Sequence, residues 1–495
     1  MRRVLLVLAG FTLVVAGLPY AAAAAAGAPT TQRSSTTPPG SFELVGHEPL
    51  GNRGMNAALA IHGNYAYVGS RTDGKPGSQN LTNGGIMIVD ISNPAAPRVV
   101  GQVTTPDEGN SGESSRELRV WRSQGILIVL RTNCSSQIHW CTSASPANNF
   151  RAYDISGANA TSPKLIRQWT PGTHEFFLWE DPFDPNRALI FNTPASGSSF
   201  SIFDISPLRT GGAPVQLRNG SHLMGGSAHS LSVSNDGKRA YFALLTGGFG
   251  MGDVSEFTSA TPNPQYRPIT GTRPTWDGPG AHSAVKVWGK EWVAVFDEVY
   301  GTAARALGPH GCPWGWGRLI DIADPARPQV RAEYKLAENQ ASYCQPVDPS
   351  PAASYSAHNP TFTPNVGLVT WHSGGLQAID LSDPASPKQL AEFRPTPLPF
   401  VVTEDPMLSA GLDKIVMWSY PIVRDGLIYV VDVRNGLYIL RYKGPFQDEV
   451  AEATFLEGNS NQGHALCYEP VLKPKEDPEE EDEYLIPEYC LPAEE

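Results

Sequence analysis

Gly84–Val103 reads GGIMIVDISNPAAPRVVGQV. A glycine turn leads into a strand that alternates through Ile86, Ile88 and Asp90, and a Pro-marked turn leads into a second strand. The pattern recurs. Phe150–Ser156 is FRAYDIS, Phe200–Ser206 is FSIFDIS and Gly317–Leu336 is GRLIDIADPARPQVRAEYKL. Gly375–Pro395 is GLQAIDLSDPASPKQLAEFRP, Gly436–Tyr442 is GLYILRY, and GMGDVSEF around Asp253 is a worn copy. A restatement this frequent sets the fold before any local propensity does.

Working outward, each copy sits third among four short apolar strands, in units of about 50–65 residues. Hairpin signals join the strands: HGN at His62–Asn64, SNDGK at Ser234–Lys238 and RDG at Arg424–Gly426. Seven such units predict an all-β chain, a seven-bladed β-propeller of four-stranded antiparallel blades. The strands of a sandwich do not restate one motif, and solenoid repeats are shorter. Unit four has a poor third strand, placed at Gly252–Phe257. Unit seven lacks a final strand. FELVGH at Phe42–His47 resembles the outer strands RVVGQV and QLAEFR, and is expected to close the ring from the N-terminus. Glu452–Leu456 is the other candidate for that slot.

The repeat's aspartates, Asp90, Asp154, Asp204, Asp321 and Asp380, each end a strand before a turn rich in Ser, Asn, Asp and Pro. A carboxylate there can accept turn N–H groups, so these residues are read as architectural. In unit seven the slot holds Arg441.

The ends of the chain differ from its middle. Arg2 and Arg3, the apolar run Val4–Leu18 and the alanines Ala21–Ala26 make residues 1–28 a secretory signal peptide, which predicts export. Residues 29–40 form a Ser/Thr/Pro-rich lead-in, 41–458 the propeller and 459–495 an acidic tail. Of the net charge of −12, Lys473–Glu495 supplies −8, from ten acidic and two basic side chains. The remaining chain has no basic stripe, which argues against nucleic acid as a partner. No further apolar run is long enough to span a bilayer. Six cysteines suit an oxidising compartment, with Cys134–Cys141, Cys312–Cys344 and Cys467–Cys490 as the simplest local pairs.

IMIVD at Ile86–Asp90, with its DIS/DLS and NPAAP/DPARP/DPASP sequels, resembles the LVIVD-repeat family of secreted and surface β-propellers. The resemblance covers most of Ser41–Tyr442. It implies fold and export but little chemistry, because the repeat motif is architectural.

Candidate function therefore has to be sought outside the repeat. In an antiparallel blade, the connections from second to third strand and from one blade to the next share one face. That face holds the long insertions Thr72–Gly84, Thr132–Asn149, Val299–Trp316, Ala337–Ala357 and Pro395–Ile415. Long loops on a rigid scaffold build binding surfaces. The same face carries histidine at the entrance to four consecutive first strands: His174, His229, His282 and His358. Arg116 aligns with them in unit two. Glu117 and Glu175 follow these entrance positions, and Asp297, Glu298 and His372 end second strands nearby. First strands line a propeller's channel, so these residues should converge at its mouth.

Three readings follow. The histidines fill the mouth and bond loop backbone; or they bind a transition metal, with a nearby carboxylate fixing their tautomers; or, with Arg116, they hold an anion. Propellers of the selenium-binding-protein/methanethiol-oxidase type are similar in placing histidines about a metal. No glycine-rich phosphate loop and no G-x-S-x-G elbow is present. The sequence thus predicts a secreted binding scaffold for an unnamed protein or small-molecule ligand. The alternative is a metal-dependent enzyme, oxidase-like, centred on the histidines.

Overall fold

The structure is a computed structural model. It describes residues 37–71, 84–103, 113–133, 148–276, 280–299, 315–340, 354–405, 408–409, 414–455, 465–473 and 482–485. Seven four-stranded antiparallel sheets form a β-propeller. Blade one is β2 (Asn56–His62), β3 (Tyr65–Ser70), β4 (Ile86–Asp90) and β5 (Arg98–Val103). Blade two is β6 (Glu113–Trp121), β7 (Ile126–Asn133), β8 (Asn149–Asp154) and β9 (Lys164–Trp169). Blade three is β10 (Glu175–Glu180), β11 (Ala188–Thr193), β12 (Ser199–Asp204) and β13 (Val215–Ser221). Blade four is β14 (Ser230–Val233), β15 (Arg239–Ala243), β16 (Phe249–Asp253) and β17 (Arg267–Pro268). Blade five is β18 (Gly280–Val287), β19 (Trp292–Glu298), β20 (Gly317–Asp321) and β21 (Gln329–Tyr334). Blade six is β22 (Pro360–Phe362), β23 (Val366–Trp371), β24 (Gly375–Asp380) and β25 (Lys388–Phe393). Blade seven is β26 (Ile422–Arg424), β27 (Leu427–Asp432), β28 (Gly436–Lys443) and, from the other end of the chain, β1 (Ser41–Glu48).

The ring therefore closes as FELVGH suggested. β1 runs antiparallel to β28, from Ser41 opposite Lys443 to Glu48 opposite Leu437, with a bulge between Leu44 and Gly46. Glu452–Leu456 does not fill this slot. Phe455 instead pairs with Val423 on β26, by N–H···O bonds of 2.7 and 3.0 Å. The third strand of blade four is Phe249–Asp253, and Ser255–Thr258 is a short helix rather than strand. Its glycines hide the alternation, but Asp253 keeps the repeat's place as the last strand residue.

Apolar side chains interlock between blades. Ala58, Ala60, Tyr67 and Ile88 of blade one meet Leu118, Val120 and Leu127 of blade two. Leu59, Ile61 and Val68 meet Ile422, Tyr429 and Val431 across the seam of blades seven and one. Hydroxyls tie neighbouring first strands together: Ser232 Oγ donates to Ala284 O at 2.7 Å and Thr361 Oγ1 to Pro421 O at 2.6 Å.

The opposite face of the ring carries the chain's last packed segments. Asn235 Nδ2 donates to Ala465 O at 2.9 Å, and Lys286 pairs with Glu469. Glu449 Oε1 accepts from Asn365 N–H at 2.8 Å. Packing against the ring thus continues beyond residue 458. Cys467 lies in the short helix Ala465–Tyr468. Cys134, Cys141, Cys312, Cys344 and Cys490 lie outside the described residues, as do residues 1–36, which hold the segment read as a signal peptide, and most of the acidic tail. No described helix is long and apolar enough to cross a membrane.

The repeat aspartates cap their turns. Asp90, Asp154, Asp204, Asp321 and Asp380 each accept the N–H two residues on, at 2.8–3.0 Å. Asp154 also accepts from the Ser156 hydroxyl and Asn159 Nδ2, both at 2.6 Å. The bonds from Ser156 hold its carboxyl below the usual carboxylate range. Asp154→Ala should cost about 1 kcal/mol, the usual worth of such a cap. The sign of the pH effect follows from the lowered folded pKa. This stabilisation is full above the unfolded pKa and is lost as pH falls through the folded one. Urea midpoints of wild type and variant should therefore differ at pH 7 and converge in strong acid. Equal midpoints at pH 7 would show that the turn does not need the carboxylate.

Candidate metal centre at the channel mouth

The first-strand entrances do converge. His174 precedes β10, His229 precedes β14, His282 sits at a bulge inside β18, and His358 lies two residues before β22. Arg116 occupies the matching bulge of β6. Adjacent blades place the rings in an arc. Ring centroids are 4.8 Å apart for His174–His229, 4.1 Å for His229–His282 and 4.4 Å for His282–His358. His372, just after β23, extends the arc 5.4 Å beyond His358.

Local sequence explains how the arc is held. In the AHS pairs, the serine after each histidine donates to the next blade's histidine carbonyl. Ser230 Oγ bonds His282 O, and Ser283 Oγ bonds His358 O at 2.9 Å. Thr193 Oγ1 does the same for His229 O at 2.7 Å. The histidine backbones are thus pinned from blade to blade, and the imidazoles remain for other work.

Glu298, the last residue of β19, is the hub. Its side chain is 6% exposed. Oε2 lies 3.4 Å from His282 Nε2; Oε1 lies 3.4 Å from His358 Nε2 and 3.2 Å from His372 Nε2. None of these approaches to Oε1 has hydrogen-bond geometry, and His282 has no hydrogen-bond partner at either nitrogen among the described residues. His358 Nδ1 donates to Trp418 O at 2.6 Å, because a carbonyl can only accept. A neutral His358 then turns its Nε2 lone pair toward a carboxylate oxygen, which is repulsive unless a cation or proton lies between them. Donor atoms at 2.0–2.1 Å from one tetrahedral ion stand about 3.3–3.4 Å apart. The separations around Glu298 match that spacing.

Burial above all keeps His229, His282 and His358 neutral. Burial, then the Arg116 charge, holds His229 down to about 3. Burial, then the neighbouring histidines, pushes His282 and His358 well below the usual value. Neutral imidazole is the ligating form.

The other candidates sort by side-chain direction. Asp297 alternates with Glu298 along β19 and faces away from the rings. It pairs with Arg318, accepts from Trp276 Nε1 at 3.3 Å, and is raised to about 7 by burial against the Arg318 charge. Asp297 is therefore an inter-strand anchor rather than part of the mouth. Glu175 accepts from Arg116 Nη2 at 3.3 Å and Glu117 from Arg119 Nη1 at 3.2 Å. Burial and then Glu117 raise the Glu175 carboxyl well above its usual value. These four residues make a charged patch beside the arc. His174 Nε2 is 3.9 Å from Glu175 Oε1, and at 26% side-chain exposure His174 is the most open ring of the arc.

Trp418 is the residue that the sequence reading missed. It stacks 3.9 Å from His358 and 5.3 Å from His372 by ring centroid, besides supplying the carbonyl to His358. Trp418 and Ser419 N–H both bond Val431 O, so Trp418 stands at blade seven's first-strand entrance. Aligning that entrance with the histidine positions would have found it.

No curated protein matches the chain. Among solved structures, Raptor from Chaetomium thermophilum aligns with a TM-score of 0.47 at 11% identity, covering 81% of this chain and 30% of Raptor. The chain thus spans under a third of that protein's length. Sqt1 from the same organism aligns at 0.44 and 15%, covering 79% of this chain and 86% of Sqt1. A Lactobacillus plantarum protein aligns at 0.45 and 11%, covering 68% of this chain and 85% of that one. At such scores these likenesses carry nothing about the site. The repeat itself is more specific: residues 53–74 and 81–105, which contain all four strands of blade one, match the LVIVD repeat, so this seven-bladed β-propeller carries that repeat in its first blade.

Proposed function

We propose that this propeller binds a transition metal ion at the mouth of its channel, on Glu298 and the imidazoles around it. The observation that carries the reading is the approach of His282, His358 and His372 Nε2 to one buried carboxylate at 3.2–3.4 Å. Imidazole with carboxylate suits Zn, Cu, Fe or Ni. The Trp418 carbonyl on His358 is the kind of outer partner that fixes a ligand's tautomer. A carboxylate oxygen with two of these imidazoles would leave a fourth position for water or substrate, which a metal-dependent enzyme requires. Glu298 ends its strand where the long connection Val299–Trp316 begins, and His358 follows the connection Ala337–Ala357, so a ligand held by that face would approach the same mouth. Export, resting on the Val4–Leu18 segment, belongs to the proposal as well.

The test is metal uptake by untagged, chelator-treated full chain. Zn(II) should bind with at least one ion per chain surviving gel filtration. His358→Ala should weaken binding by more than the roughly 10–100-fold typical of losing an outer partner. A protein that takes up none of Zn(II), Cu(II) or Ni(II) would leave the histidines as packing groups.

A further inference from the structure

We infer that the mouth holds two metal ions bridged by Glu298, one on His229 and His282 and the other on His358 and His372. This deepens the metal-binding reading and rests on it.

One ion cannot use the whole arc. Donors at 2.0–2.1 Å from one ion lie within about 4.2 Å of one another, and among the described residues no more than three of these side chains bring their donor atoms within even 4.8 Å of one another. The donors divide instead. The donor atoms of His229, His282 and Glu298 lie within 4.8 Å of one another, and so do those of Glu298, His358 and His372. The two groups share only Glu298, and its two oxygens face opposite ways: Oε2 to His282, Oε1 to His358 and His372. That is the geometry of a bridging carboxylate, whose ions stand about 3.5–4 Å apart. Each ion would have two imidazoles and one carboxylate oxygen, with a position left for water or substrate.

Burial supports the assignment. His229, His282 and His358 are 7%, 2% and 1% exposed, and His229 Nδ1, both His282 nitrogens, His358 Nε2 and Glu298 Oε1 have no hydrogen-bond partner among the described residues. Such groups are costly to bury unless something charged answers them. The outer group of His174, Glu175 and His229 also lies within 4.8 Å, but it is not a third site. It needs His229, which the inner group uses, and Glu175 already accepts from Arg116.

The experiment loads the stripped, untagged full chain with Cu(II) and measures ions per chain and the EPR spectrum. The inference expects two ions and a spin-coupled spectrum with a half-field line. His372→Ala should retain one ion with an isolated, uncoupled signal, and His229→Ala should do the same at the other half. One ion per wild-type chain, or two with uncoupled spectra, overturns the bridged pair and leaves the metal-binding reading standing. No ion at all overturns both. Two ions in His372→Ala would place the second elsewhere and overturn the assignment, and the wild-type spectrum decides the matter if a variant fails to fold.

Discussion

Removing Ser41–Glu48 is expected to lower stability more than any single substitution in the ring. β1 pairs with β28 at seven positions, from Ser41–Lys443 to Glu48–Leu437. His47 Nε2 bonds Asn435 O at 2.7 Å and its ring stacks 4.3 Å from Tyr438. At about 1 kcal/mol net per hydrogen bond, the lost ladder alone is on the order of 5 kcal/mol. Domains of ordinary stability have about 5–15 kcal/mol in total. The deletion also bares the outer edge of β28, a template for association. Gly46 couples the strand to its neighbour: a Cβ there would lie 2.0 Å from Pro94 O of blade one. Gly46→Val should therefore reproduce part of the deletion's effect by pushing β1 off its register. Urea unfolding checks both, and the peptide SFELVGHE added in trans should restore part of the loss. A deletion mutant within 1 kcal/mol of wild type would show that the ring is held without its N-terminal strand.

The parts of the fold that rest on a repeated physical constraint were legible in the sequence. Asp90 and its counterparts mark strand ends because turns need an acceptor there, so six of the seven blades could be counted from them, the seventh having Arg441 in that slot. β1 was legible because FELVGH shares the outer strand's alternation. Blade four's third strand was misread, since Gly250 and Gly252 offer no side chain to the alternation and only Asp253 fixes the register. The histidine arc was legible from its place at the strand entrances. The hub was not: Asp297 and Glu298 stand side by side in sequence, and only strand alternation sends one to Arg318 and the other to the rings. Trp418 escaped because its contribution is a backbone carbonyl and a ring face, neither of which residue chemistry advertises.

Replacing His282 by leucine should leave the metal-free propeller as stable as before or more so, while cutting metal uptake from two ions to one. The ring is 2% exposed and neither nitrogen has a hydrogen-bond partner among the described residues. Leaving a buried polar group unmet costs about 1–3 kcal/mol, and an apolar side chain of similar size removes that cost. The backbone is unaffected, because Ser230 bonds the His282 carbonyl rather than its ring. His358→Leu supplies the contrast. It gives up the bond from Nδ1 to Trp418 O and should destabilise the metal-free protein by about 1 kcal/mol. If histidines merely filled the mouth, both substitutions would cost stability and neither would gain it. A side chain that weakens the fold it sits in is retained for what it binds. Thermal unfolding of chelator-treated protein, with and without Zn(II), reads both effects. At a hundred times the dissociation constant, an ion should stabilise the wild type by about 2.7 kcal/mol. The same addition should stabilise His282→Leu through one ion rather than two, the one held by His358, His372 and Glu298. Loss of metal-free stability in His282→Leu, with Zn(II) stabilisation intact, would make His282 a packing residue and shift the centre to His358 and His372 alone.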